Sequence, residues 1–426
     1  MQSNIFESRD GVLYIDGVSS LELAEIYDTP LYVMSESKIL EKHAILRSAL
    51  SKFFERYIIL YSAKANTNLS ILKIMKNLGC HLDVVSPGEV YLAMEVGYPP
   101  EDIVFTGTMV RDDELRFVLE RGVPINVDSL SELRRLLKIS VPDFISVRVN
   151  PEFGAGHHEH VITAGKESKF GIWEEAVIKA YRMAKEAGVE RFGIQMHIGS
   201  GILEVEPYLM ATNKLLDIVS KVHDAVKIEF EVIDIGGGLG VPYRPEEKSL
   251  DVELLFKRVS ELFHERVEVL GLQTPIFAIE PGRFMVCEAG VLLTRVNTVE
   301  DKLYKKFVGV DAGFNTLIRP AMYGSYHPVV VANKMDKEAV EKYTIAGPIC
   351  ESGDLLAKDR LLPRMEEGDL IAILNAGAYG FSMSSQYNSR PRAAEVLVYE
   401  GRHELIRERE SFEDLKRRQR IASWLT

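Results

Sequence analysis

The feature that most constrains this chain is a regular beat of short apolar runs. The first five begin at residues 57, 81, 103, 124 and 144, at spacings of 24, 22, 21 and 20 residues, with amphipathic stretches between them. Strands joined by helices of that length pair in parallel, because a parallel crossover needs a dozen or more residues. Further runs at 192–197, 231–235 and 276–279 bring the number to eight. Eight such units over roughly 250 residues predict an α/β fold of the (β/α)8 TIM-barrel type. A doubly wound sheet with insertions is the alternative.

Local signals agree with the beat. Residues 69–78 have a helical pattern that stops at Gly79. Ser86-Pro87-Gly88-Glu89 and Ser129-Leu130-Ser131-Glu132 are capping boxes, the first with Pro at the opening helical position. Residues 251–269 repeat apolar side chains with a helical period. After Glu280 the pattern changes. Runs at 290–298, 307–310, 343–345, 370–374, 394–399 and 403–406 are separated by Gly, Asn and Asp turns, which predicts a mostly β domain. Residues 13–15 are expected to join its sheet, and the charge-dense stretch 407–420 to form a terminal helix. The expected division is a barrel over 35–279, with 1–34 and 280–426 forming a β-sandwich or barrel-like domain.

Composition narrows the function classes. The net charge is −12, so the surface repels phosphate backbones and nucleic acid is not an expected partner. No apolar run approaches the ~20 residues of a membrane span. The opening MQSNIFESRDGVLYIDG carries acids and no basic-then-apolar leader, so no secretory signal is expected. Cys80, Cys287 and Cys350 are odd in number and far apart, which excludes a disulfide framework and suggests a reduced, cytoplasmic protein.

In such a barrel the chemistry gathers where the strands end. In chain order these positions hold Lys64, Asp83 with Ser86, Thr106, Asp128, Arg148 with Asn150, His197 with Ser200, the glycines of 236–240, and Glu280. Each has a bland reading. Lys64 could snorkel to the surface, or stand in the barrel mouth and form a Schiff base with an aldehyde. Gly236-Gly237-Gly238-Leu239-Gly240 could be a flexible turn, or let backbone N–H groups reach an anion. Glu280-Pro281-Gly282-Arg283 could be a local ion pair. His197 could be a core histidine. His157, His158 and His160 lack the spacing of a metal site, so no metal is expected. Cys350, followed by Glu351 and Asp354, could be a reactive thiol or a small hydrophobe. Together, a lysine for an aldehyde, a phosphate cradle, an acid for a ring nitrogen and a histidine for a ring face suggest pyridoxal 5′-phosphate.

The order of motifs resembles the fold-type III pyridoxal phosphate enzymes, and within them the diaminopimelate decarboxylase family. The likeness runs from about Leu13 to Glu404. It rests on 61–66 (YSAKAN), Asp83-Val84-Val85-Ser86, His197-Ile198-Gly199-Ser200, the 236–240 glycines, Glu280-Pro281-Gly282-Arg283 and Ala378-Tyr379-Gly380. More particular to that branch are 350–354 (CESGD), 318–321 (IRPA) and 387–392 (YNSRPR).

The resemblance implies decarboxylation of meso-2,6-diaminoheptanedioate to L-lysine and CO2, the last step of that route to lysine. Lys64 would carry the cofactor, with Asp83 also among its binding residues. His197 would stack on its ring, and Glu280 would pair with the ring nitrogen. Ser200, Gly238 and the backbone from Glu280 through Pro281 and Gly282 to Arg283 would hold the phosphate, with Tyr379 nearby and Gly237 also among the cofactor-binding residues. Arg283, Arg319 and Tyr323 would bind the substrate's distal carboxylate, Tyr379 would lie near, and Glu351 would bind the distal amine. Cys350 would deliver the proton that replaces the lost carboxylate. Cys350 and Glu351 of the partner subunit would complete each site of a homodimer. Pro87, Gly201 and His160 depart from the common pattern at positions without a named chemical role.

Three rivals remain on these residues. A decarboxylase for ornithine, arginine or lysine would have less need of Arg319 beside Arg283. A racemase would need a second proton donor, and no convincing one is present. A non-enzymatic cofactor-binding protein would consist of little beyond the barrel.

Overall fold

The structure is a computed structural model that describes residues 5–151 and 168–425. His157, His158 and His160 lie outside the described residues. The chain separates into two compact units, Glu41–Met285 and Met1–Leu40 with Val286–Thr426.

The first unit is a closed parallel barrel. Its strands are β1 (Tyr57–Ser62), β2 (His81–Val84), β3 (Ile103–Phe105), β4 (Ile125–Val127), β5 (Phe144–Asn150), β6 (Arg191–Met196), β7 (Val232–Asp234) and β8 (Ile276–Ile279). Each pairs in parallel with the next, and β8 pairs back onto β1 from Phe277 with Tyr57 to Ile279 with Ile59. The eight runs read from the sequence are these eight strands, so the doubly wound alternative falls. Closure leaves no open edge and brings all eight strand ends to one rim.

The connecting helices obey their end signals. Gly79 has φ +76° after helix Leu69–Asn77, and Asp251 caps helix Val252–Leu270 by accepting from Leu254 N–H. The two serine caps accept from Glu89 N–H (3.2 Å) and Glu132 N–H (3.1 Å). The glutamates do not return to the cap's own N–H. They reach one residue further back, to Val85 N–H at 2.7 Å and Asp128 N–H at 3.2 Å. Each thereby satisfies a backbone donor at the barrel rim. Aromatic rings pack between strands and helices, with Phe54 stacked on Phe277 at 3.9 Å and Phe263 set edge-on to both.

The second unit is mostly β. Leu31–Ser35 lies at its centre, antiparallel to Gly290–Lys302 and parallel to Ala394–Tyr399. The expectation for 13–15 needs correction. Val12–Ile15 pairs with Phe6–Arg9 and Val18–Ser19 in a separate three-stranded sheet. Leu13 and Ile15 still bury their side chains in the same core as Leu31 and Val33, which is why their apolar pattern misleads. The stretch 407–420 is not one helix. Strand Arg402–Arg407 takes its first residue, and only Phe412–Lys416 is helical. Strands Val329–Val331 and Leu355–Leu362 went unread. The second carries Lys358, Asp359 and Arg360 in its middle, which masks any alternation.

Candidate active site

Lys64 lies in the 3-10 turn Ala63–Ala65 that follows β1 directly. Its Nζ is 2.5 Å from Asp83 Oδ2, on the neighbouring strand β2. Asp83 is buried. Burial alone would raise its carboxyl, but the Lys64 ammonium, with hydrogen bonds from Lys64, Ser62 and Thr106, together hold it below the ordinary carboxylate range. Lys64 therefore stands in the barrel mouth. With Asp83, Thr106, Arg148, His197 and Glu280 it lines a cavity of about 290 Å³.

His197 follows β6 and is half-buried, with its ring against the cavity wall. Burial, then the positive charges of Arg148 and Lys64, push its imidazole down to about 3, so it is neutral at physiological pH. Gly237 N–H donates to its Nδ1 at 3.1 Å, which places the ring proton on Nε2. A side chain at Gly237 would force the backbone to move, because a Cβ would lie 2.1 Å from Glu280 O. The backbone of Gly238 has φ +93°, and a Cβ there would meet Gly199 O at 2.5 Å. Gly237 thus orients the histidine, and the bare backbone surface left for an anion is at Gly238.

Glu280 follows β8 at the floor of the cavity. Gln195 Nε2 donates to both of its carboxylate oxygens at 3.0 Å. Burial, with Asp83 and Asp234 close by, pushes the Glu280 carboxyl well above its ordinary value. Burial and the Asp83 charge raise Asp234 to about 7. The sequence reading missed Gln195 and Asp234, and gave Arg148 no role. The signal was there for Gln195: it is two residues before His197 at the end of β6, so strand alternation carried one residue on puts both toward the same face. Nothing in composition shows that Asp83 and Asp234 come close enough to Glu280 to shift it.

The Pro281–Gly282 turn is stitched to β1. Ser62 N–H donates to Pro281 O at 3.2 Å, and Ser62 Oγ donates to Glu280 O at 3.0 Å. Arg283 is buried. Its Nη2 donates to Ser200 Oγ at 3.0 Å and its Nη1 to Tyr243 Oη at 2.7 Å. This joins the turn after β8 to the loop after β6.

The remaining expected residues belong to the second unit and form two groups. Arg319 opens the short helix Arg319–Tyr323 and is 1% exposed. Its guanidinium donates to Ser325 Oγ at 3.2 Å and lies 5.5 Å from the Tyr323 ring centre and 5.9 Å from that of Tyr379. Cys350 and Glu351 are on an exposed turn. Buried Asp354 ties that turn down by accepting from Ile349 N–H (2.7 Å) and Phe314 N–H (2.6 Å). Among the described residues no cluster of ligating side chains could hold a metal ion.

Residues 36–287 match the family model described as pyridoxal-dependent decarboxylase, pyridoxal binding domain. The diaminopimelate decarboxylase of Methanothermobacter thermautotrophicus is 53% identical over 97% of each chain. That of Archaeoglobus fulgidus is 45% identical over 99% of this chain and 100% of its own. The crystal structure of the Methanocaldococcus jannaschii diaminopimelate decarboxylase with L-lysine superposes with a TM-score of 0.92, at 35% identity over 99% of each chain. A lysine/ornithine decarboxylase from Vibrio vulnificus shares the fold at 22% identity.

The barrel residues fit a pyridoxal phosphate. Gly238 is half-exposed and packs so closely on Gly199 O that no Cβ fits, as a glycine loop that approaches an anion with its backbone would require. Glu280 is pushed upward even with Lys64 and Arg148 near, so a protonated ring nitrogen beside it would find a partner that gains from added positive charge. Lys64 provides the amine at the same cavity.

Proposed function

The chain belongs to the diaminopimelate decarboxylase family of pyridoxal-dependent decarboxylases, and from that membership we propose that it converts meso-2,6-diaminoheptanedioate to L-lysine and CO2, closing that route to lysine. The observation that carries this reading is the buried Glu280 carboxylate, clasped by Gln195 on the floor of the cavity that Lys64 enters. The cofactor supplies an electron sink for the pair released when the bond from Cα to the carboxylate breaks.

The roles of the residues follow. The Lys64 amine holds the cofactor, and Asp83 keeps that amine in place. His197, neutral and oriented by Gly237, covers one ring face without adding charge. Glu280 would pair with the ring nitrogen and favour its protonated form. Ser200, Gly238, Arg283 and the turn through Pro281 and Gly282 bind the phosphate, with Tyr379 near. Arg319 and Tyr323 take the distal carboxylate, a charge-assisted pairing that selects for a second acid group. Arg283 contributes there from the barrel. Glu351 takes the distal amine, and Cys350 gives its proton to Cα. Cys350 and Glu351 of the partner subunit complete each site in a homodimer, and the reduced thiols suit the cytoplasm. No helix of the described residues is long and apolar enough to cross a membrane.

Purified protein loaded with cofactor should release CO2 and lysine from meso-2,6-diaminoheptanedioate. It should turn over L-ornithine and L-lysine at least about a hundredfold less efficiently, because an unfilled guanidinium pocket costs several kcal/mol. Comparable turnover of ornithine would overturn the substrate assignment and leave the decarboxylase.

A further inference from the structure

The segment after Gly380 carries a motif that the reaction scheme above does not use. Tyr387–Ser389 forms a 3-10 turn whose middle residue, Asn388, is left-handed (φ 57°, ψ 25°). Asparagine tolerates that conformation better than most side chains. The turn brings the Asn388 carboxamide onto Cys350 at two points. Cys350 N–H donates to Asn388 Oδ1 at 3.0 Å, and Asn388 Nδ2 donates to Cys350 Sγ at 3.2 Å. A backbone N–H can only donate, so the oxygen of the amide must face it. The NH2 group is thereby turned to the sulfur.

The direction of that second bond matters. A thiol facing a carbonyl commits its own proton, as Cys287 does in the same protein by donating to Asn375 O at 3.2 Å. Cys350 accepts from Asn388 instead, so that contact does not commit its S–H hydrogen; Tyr387, which also interacts with the same thiol, flanks it. The clamp is also braced. Tyr387 donates to Glu351 Oε1 at 2.8 Å and stacks on Phe314 at 5.6 Å. Phe314 is tied through Asp354 to Ile349, one residue before the cysteine.

We propose that Asn388 is the positioning residue for the Cys350 thiol, holding the cysteine by its N–H and its sulfur so that the proton is aimed outward at the substrate carbon. The proposal rests on the reading of Cys350 as proton donor. In correct turnover the electron pair left by CO2 takes the thiol proton at Cα, a C–H bond forms, and the thiolate is reprotonated from solvent. With the thiol misplaced, the pair would instead take a proton from water at the cofactor's aldehyde-derived carbon, and hydrolysis of the C=N bond by a further water would leave the amine on the cofactor and an aldehyde at the former Cα. The electrons that would have made lysine have reduced the cofactor carbon.

The test is to count products per turnover in holoenzyme. Asn388→Gly keeps the left-handed backbone and deletes both bonds. Asn388→Asp keeps the bond to the Cys350 N–H but replaces the donor at sulfur with an acceptor. Both should lower kcat by about 10- to 100-fold with KM within about twofold, since a small misplacement of a reacting group costs rate more than binding. Both should also raise the fraction of turnovers ending in amine-form cofactor and aldehyde about tenfold or more, a product ratio that a purely structural role would not move. Cys350→Ala is run beside them. If Cys350→Ala shifts the ratio and both Asn388 variants keep the wild-type ratio, the positioning role is overturned and the donor role stands. If Cys350→Ala leaves the ratio unchanged, the donor assignment falls and the positioning role falls with it.

Discussion

Glu280 is a carboxyl group whose charge depends on what lies beside it. Burial and two neighbouring acids raise it above its ordinary value in the protein without cofactor. It then keeps a proton that the unfolded chain gives up. Its stabilising contribution is present below the unfolded value and is lost as pH rises toward the folded one, at up to about 1.4 kcal/mol per pH unit for one proton. His197, lowered to about 3, works in the opposite direction, since the unfolded chain binds a proton that the folded one refuses. The difference between wild type and Glu280→Gln isolates the carboxyl. In cofactor-free protein the variant should gain stability over wild type as pH rises from about 5 to about 8, read as urea midpoints. Parallel midpoints across that range would mean that Glu280 is ionised already. The neighbourhood of acids behind this prediction was not legible in the sequence. Glu280, Asp234 and Asp83 lie on strands far apart in the chain, and only closure of the barrel brings them together.

At the scale of elements, the loop after β7 does two jobs in three residues. Asp234 accepts from Gly236 N–H at 2.7 Å, Gly237 orients His197, and Gly238 presents bare backbone. Gly237→Ala places a methyl 2.1 Å from the Glu280 carbonyl, and backbone cannot yield there as a flexible side chain could. The variant should fold with a displaced loop and bind cofactor at least about tenfold more weakly, by titration of the apoprotein. Wild-type affinity would show that the loop relaxes without loss. The glycines were plain in the sequence, yet their division of labour was not. It depends on which carbonyl each one faces, and those carbonyls come from β6 and β8.

At the scale of the molecule, the shared-site reading makes a quantitative prediction. Lys64→Ala and Cys350→Ala chains should each be nearly inactive alone. If subunits are mixed at random in a two-fold dimer, half of the dimers are hybrids, and each hybrid has one intact site of two. Recovered activity should approach about a quarter of wild type. No recovery despite verified exchange would place Lys64 and Cys350 of one site on one chain.

The strand beat, the helix caps and the polar residues at strand ends were present in the residue order, because each follows from local periodicity and from neighbours within a few positions. The eight barrel strands and the placement of Lys64, His197 and Glu280 in one mouth could therefore be read directly. The second unit was harder. Leu13 and Ile15 have the burial pattern of a central strand, but pairing is decided by which backbone edges meet, and that left them in a sheet of their own. The same holds for chemistry. Residue order supplied a cysteine, a glutamate and, about 40 residues later, a tyrosine and an asparagine. That Asn388 grips Cys350 while Tyr387 grips Glu351 was decided by the fold alone, because hydrogen bonds depend on direction and distance, which separation along the chain does not encode.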